Sequence, residues 1–95
     1  MSWIIGEYLK ELPYLKENPE VNVYIVGHTD NAGDYAMNKK LSLSRGESVK
    51  NYLVTRFKIS ATRLTGDGAG PVCPVTTNET SEGRALNRRV EIVKK

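Results

Sequence analysis

Val21, Val23 and Ile25 alternate with Asn22 and Tyr24 and run directly into Gly27. That period of two is the pattern of a strand with one buried face. The next residues, HTDNAGD at positions 28–34, continue neither a strand nor a helix. They are small and polar, and Gly33 among them can take the positive φ that a tight turn needs. Asp34 then stands where a helix N-cap accepts a backbone N–H. Beyond it Leu41, Val49, Tyr52, Leu53 and Phe57 recur at helical period to about Phe57. A strand, a polar turn and a long helix in succession bury their apolar faces best as two layers, the helix lying back over the sheet. The turn leaves the carboxyl end of a buried strand, a position where α/β folds often hold ligands.

The rest of the chain extends this unit. Ile4, Ile5, Tyr8, Leu9, Leu12 and Leu15 are spaced by threes and fours, which predicts an amphipathic helix over about residues 2–17. Pro13 would remove one backbone bond to Leu9 and kink it, and Asn18-Pro19 ends it. After the second helix, residues 63–65 read as a short strand before Gly66, Gly68, Gly70 and Pro71, which read as a flexible loop. No helix follows those glycines, so their amides form no phosphate cradle. Residues 81–86 predict a short helix, and residues 87–93 a final strand with Val90 and Ile92 on one face. The expected fold is α+β: a mixed sheet packed on helices as a two-layer α/β sandwich, in one domain over residues 1–95. Gly46 lies inside the long helix, at about 1 kcal/mol relative to alanine.

Composition removes several function classes. With 39% hydrophobic and 26% charged residues the chain is of ordinary globular type, and no apolar run approaches the length of a bilayer span. Its start, Met1-Ser2-Trp3-Ile4-Ile5, lacks the basic and long apolar parts of a signal peptide. A net charge of +3 without a basic stripe interleaved with aromatics points to no nucleic acid partner. Cys73 and His28 are the single cysteine and histidine, so neither an internal disulfide nor a Cys/His metal site is expected, and no motif calls for a cofactor. His28 and Asp30 with Ser42 or Ser44 do not make a catalytic set. The first two are at i and i+2, and neither serine sits on a strand-to-helix elbow. A lone histidine at a strand end is more often structural, donating to a backbone carbonyl, so no catalytic residue is assigned.

What remains is the polar turn and the helix beside it. Thr29, Asp30, Asn31 and Asp34 have the ordinary uses of turn formers and caps. Met37, Leu41 and Arg45 fall at i, i+4 and i+8, on one helix face that climbs about 12 Å. If the turn packs beside that face, Asp30 and Arg45 flank an apolar stretch suited to an elongated zwitterion. An arginine holds a carboxylate bidentately, which lysine does not. The same two residues would equally make an internal salt bridge fixing turn to helix, and spacing alone does not separate the two readings.

The run Gly27-His28-Thr29-Asp30-Asn31-x-Gly33, followed by Asn38-x-x-Leu41-Ser42-x-x-Arg45, Val49 and Tyr52-Leu53, resembles the central signature of OmpA-like peptidoglycan-binding domains. Gly66, Gly68, Pro74, Asn78, Thr80, Gly83-Arg84-Ala85 and Asn87-Arg88-Arg89-Val90-Glu91 resemble that family's ending. Two long motifs in the right order, over about residues 9–92, make the resemblance specific. It implies a module without turnover that holds the peptide stem of peptidoglycan and tethers an outer-membrane or envelope protein to the wall, in the periplasm of a Gram-negative bacterium. It implies that Asp30 meets an ammonium and Arg45 a carboxylate of the stem's diaminopimelate. Thr29, Asn38, Leu41 and Arg88 would complete the pocket, with Gly33 letting the turn approach the ligand. Arg84, Asn87 and Arg89 either border it or tie the last strand to the sheet. The chain departs from the family pattern in two ways. The family's opening strand has no counterpart before the first helix, and an unpaired sheet edge of that kind invites dimerisation. Gly46 stands where the family usually has alanine, which implies a small loss of stability and no change of ligand. The alternative is an OmpA-like fold used as a protein–protein interaction domain without wall binding.

Overall fold

A computed structural model describes residues 12–95. Helix α1 (Leu12–Glu17) leads to strand β1 (Val23–His28) and the long helix α2 (Tyr35–Phe57). A single 3₁₀ turn (Ala61–Arg63) enters β2 (Leu64–Gly70), and α3 (Ser81–Asn87) and β3 (Val90–Lys94) complete the chain. The three strands lie in the order β2-β1-β3, with β1 parallel to β2 and antiparallel to β3. A parallel pair needs a crossover, and α2 provides it while packing across β1 and β2. The mixed sheet under a helical layer is the α+β sandwich expected. Among the described residues no helix is long and apolar enough to cross a membrane.

Local chemistry sets the limits of α2. The Asp34 carboxylate accepts from the Met37 N–H at 3.0 Å and so closes the first turn. At the other end Lys58 takes a left-handed backbone, φ 60°, and its N–H returns to the Leu53 carbonyl. Between these caps Val49 and Leu53 face the sheet and join Leu15, Val21, Val23, Ile25, Ile59, Leu64 and Val90 in one core.

Four expectations need correction. The glycine-rich stretch is a strand and not a flexible loop, because its glycines lie directly beneath α2. A Cβ on Gly68 would run into the Leu43 backbone and the Ser42 side chain, so the absence of side chains lets the helix lie against the strand. Arg63 belongs to the 3₁₀ turn and not to the strand. Its guanidinium donates to the carbonyls of Leu15, Asn18 and Val21 at 2.8, 2.9 and 3.0 Å. Pairing in β1 therefore begins at Val23 and not at Val21, whose N–H and carbonyl are taken by Asn18 and Arg63. The last strand begins at Val90, three residues later than expected, because Asn87 closes α3. For the first helix only Leu12–Glu17 can be compared, and the Pro13-to-Leu9 kink falls outside the described residues.

Candidate functional site

The exit of β1 is pinned on both sides. The His28 N–H donates to the Arg89 carbonyl at 2.8 Å, and the Thr29 N–H to the Gly70 carbonyl at 3.0 Å. The polar turn thus starts from a backbone held by both neighbouring chain segments. Asp30 then folds the turn on itself: its Oδ1 accepts from the Ala32 N–H at 2.9 Å. Gly33 follows at φ 87°, with open space where a side chain would be. Asn38, one turn into α2, donates from Nδ2 to the Ala32 carbonyl at 2.8 Å and ties the turn to the helix. Thr29 is buried, its hydroxyl donating to the Asp30 carbonyl at 2.9 Å.

The arginines approach from two directions. Arg45 is buried on α2 and donates from Nη1 to the His28 carbonyl at 3.2 Å. Arg88 comes from the C-cap of α3 and places Nη1 2.6 Å from Asp30 Oδ2. Asp30 thus forms an ion pair with Arg88, whereas the helical spacing had offered Arg45 alone as its internal partner. On the face that carries Arg45, Leu41 and Met37 are exposed to solvent. Thr29, Asp30, Arg45 and Arg88 converge on one rim, Gly33 and Asn38 shape the turn that carries it, and Leu41 lies exposed on α2 one turn before Arg45.

One carboxylate faces two guanidiniums here, so the charges act strongly on one another. Burial would raise the Asp30 carboxyl, but the Ala32 N–H and the Arg88 guanidinium outweigh it and hold the group below its ordinary range. Burial and the Arg88 charge depress Arg45, which the Asp30 carboxylate opposes, and a guanidinium so placed stays protonated at neutral pH. Among the described residues no group of three or more His, Cys, Asp or Glu side chains is arranged to hold a metal ion.

Behind the rim lies a second network, in which the link from His28 through Glu91 to Arg89 has no signal in the sequence. His28 is buried, with Nε2 3.2 Å from Glu91 Oε1, and Arg89 donates to Glu91 Oε2 at 2.8 Å. The partner of the histidine is thus a carboxylate and not the backbone carbonyl expected. Burial, and next the Arg89 charge, lower its pKa against the pull of Glu91. Asn87, fully buried, accepts from the N–H groups of Val75 and Thr76 and donates to the Thr76 carbonyl and Asn78 Oδ1. Arg84 donates to the Asn78 carbonyl and Arg89 to that of Cys73. Arg84 and Asn87 tie the segment between β2 and α3 to α3 itself, and Arg89 ties it to the entry of the last strand. A separate cleft lined by Tyr14, Leu15, Val23, Ile92 and Lys94 lies at the other end of β1, about 16 Å along the strand from the rim, and holds neither Asp30 nor Arg45.

Comparison with known proteins matches this arrangement to one family. The model of the OmpA family matches residues 6–88. The peptidoglycan-binding protein ArfA of Mycobacterium tuberculosis is 46% identical over 79 residues, 83% of this chain and 24% of that protein. The probable lipoprotein YiaD of Escherichia coli is 44% identical over 78 residues, 82% of this chain and 35% of that protein. The chain therefore spans 24% to 35% of the length of these relatives. The crystal structure of the peptidoglycan-associated lipoprotein from Burkholderia pseudomallei superposes with a TM-score of 0.83 at 25% identity, covering 98% of this chain and 81% of that one. From the signature turn, the helix it enters and the ending that returns Arg88 to Asp30, the chain belongs to the OmpA family.

Proposed function

We propose that this domain binds peptidoglycan non-covalently through the diaminopimelate of the stem peptide, and so anchors an outer-membrane or envelope protein to the wall from the periplasm. The observation that carries this reading is the meeting of one carboxylate and two guanidiniums, Asp30 with Arg88 and Arg45, at the end of β1. Diaminopimelate ends its side chain in an ammonium and a carboxylate on one carbon, and that rim offers a counter-charge to each. Charge-assisted hydrogen bonds of this kind are short and strong. The relatives support the reading, since ArfA is a peptidoglycan-binding protein and the Burkholderia protein is peptidoglycan-associated.

Arg45, buried and fastened to the His28 carbonyl, takes a carboxylate of the stem. Thr29 and Asn38 hold the turn in place, and Leu41 covers the ligand's methylene chain. The role is one of binding without turnover. Calorimetric titration with a diaminopimelate-containing muropeptide tests it: the wild-type domain binds, and Asp30→Ala and Arg45→Ala each weaken binding by about 10-fold or more. No binding by the folded wild-type domain, or binding unchanged from wild type in both variants, overturns the proposal.

A further inference from the structure

The chain supplies Asp30 with its own counterion. One carboxylate oxygen, Oδ1, is engaged by the Ala32 N–H and the other, Oδ2, by the Arg88 guanidinium at 2.6 Å. The two side chains differ in burial. Asp30 sits in a tight turn with its side chain 11% exposed, whereas Arg88 is 34% exposed and reaches in from a helix cap. Its backbone is fixed by the Arg88 N–H bond to the Arg84 carbonyl, so movement falls to the side chain. Arg45, by contrast, is buried and bonded to the His28 carbonyl. The rim thus carries one anchored guanidinium and one that can swing.

Any ammonium that approaches Asp30 competes with Arg88. If the ligand brings an ammonium alone, the 2.6 Å pair opens and Arg88 loses its counter-charge, with the charges of Arg45 and Arg84 nearby. If the ligand carries a carboxylate on the same carbon, Arg88 moves to that carboxylate while Asp30 takes the ammonium. One ion pair becomes two. We propose that Arg88 is the specificity-determining residue of this site: by neutralising Asp30 it restricts binding to side chains that end in an amino-acid head, with ammonium and carboxylate on one carbon, and rejects those that end in an ammonium alone. This deepens the proposed wall-binding function and rests on it.

The test uses two synthetic tripeptide stems that are identical except at the third residue, meso-diaminopimelate in one and lysine in the other. They differ at the rim by a single carboxylate. The wild-type domain binds the diaminopimelate stem about 10- to 100-fold more tightly than the lysine stem. In Arg88→Gln, Asp30 loses its internal counterion, so affinity for the lysine stem holds or rises while that for the diaminopimelate stem falls, and the ratio collapses towards one. Arg88→Lys, which restores a positive charge without the planar fork, recovers part of the ratio. Amide NMR spectra establish that both variants are folded, and a carboxyl-carbon titration shows the Asp30 pKa rising in Arg88→Gln. A preference unchanged in Arg88→Gln overturns the role of Arg88 while leaving wall binding intact. Failure of the wild-type domain to bind either stem overturns wall binding and this inference together.

Discussion

Replacing Gly46 by alanine sets local helix propensity against a long-range contact. In the middle of α2 alanine is favoured over glycine by about 1 kcal/mol. The helix, however, is seated so closely on the sheet that a Cβ at this position would lie 2.5 Å from the Asp67 carbonyl oxygen and 2.6 Å from that of Ile25. Ordinary carbon-to-oxygen contacts are about 3.3 Å, so α2 would have to retreat by about 0.8 Å. Both obstacles are backbone atoms of paired strands, and neither can rotate away. Overpacking of this kind costs about 1–3 kcal/mol, which exceeds the propensity gain. Taking the middle of that range less the propensity gain, we expect Gly46→Ala to lose about 1 kcal/mol. In a domain of this size each kcal/mol shifts Tm by about 4–8 °C, and the loss reads as a lower midpoint in thermal unfolding followed by circular dichroism. Ser48→Ala, exposed on the same helix, gains propensity without a clash and serves as the control. If Gly46→Ala melts at or above the wild-type temperature, the helix retreats freely and the contact argument is wrong.

Three other outcomes follow from the structure. Lys58→Gly relieves a left-handed backbone at the end of α2 and should raise stability by about 0.5–1 kcal/mol, seen as a higher urea midpoint at unchanged slope. Asn87→Ala strips the N–H groups of Val75 and Thr76 of their acceptor inside the fold and should cost about 2–3 kcal/mol, with faster amide exchange at those two positions. Stability should fall on acidification. His28, Glu91 and Asp30 all have folded-state pKa values below their ordinary ones, so the unfolded chain takes up protons first. The loss begins as pH drops through 6.5 with His28, whose burial and neighbouring Arg89 disfavour its charge, and deepens through 4.5 and 3.8 as Glu91 and Asp30 follow. Equal urea midpoints at pH 7.5 and pH 4 would contradict this, and His28→Gln should flatten the upper part of the profile.

Local signals in the sequence were enough for β1, its turn and α2. Alternation, the Asp34 cap and a 3.6-residue period act over a few residues, and the structure follows them to within two positions at the start of β1 and to Phe57 at the end of α2. Strand β2 was read at Leu64 and Thr65, but its glycine-rich remainder was hidden for a physical reason. Gly66, Gly68 and Gly70 are glycines because of what α2 does above them, at Glu47, Leu43 and Lys39 far earlier in the chain, and locally glycine reads as a break. The same holds for Arg63, which fastens carbonyls 42 to 48 residues away, and for Asn87. At the candidate site, helical spacing reached Asp30 and Arg45, but the Arg88 pairing spans 58 residues and no periodicity carries it. Only the family resemblance pointed to that residue.

The direction of β1 has a mechanical consequence. The candidate rim sits at the carboxyl end of the strand, and the chain enters it from the opposite end at Val23. A pull between a ligand held at Asp30 and any attachment on the N-terminal side of Val23 runs along the strand axis. The bonds that join β1 to β2 and β3 lie across that axis, so such a load shears the ladders on both sides together and does not peel them one bond at a time. Arg63 adds a clamp at the entry, linking the chain just before β1 to the segment that starts β2. A domain built this way resists tension lengthwise and yields more readily to a force that lifts β3 from its end.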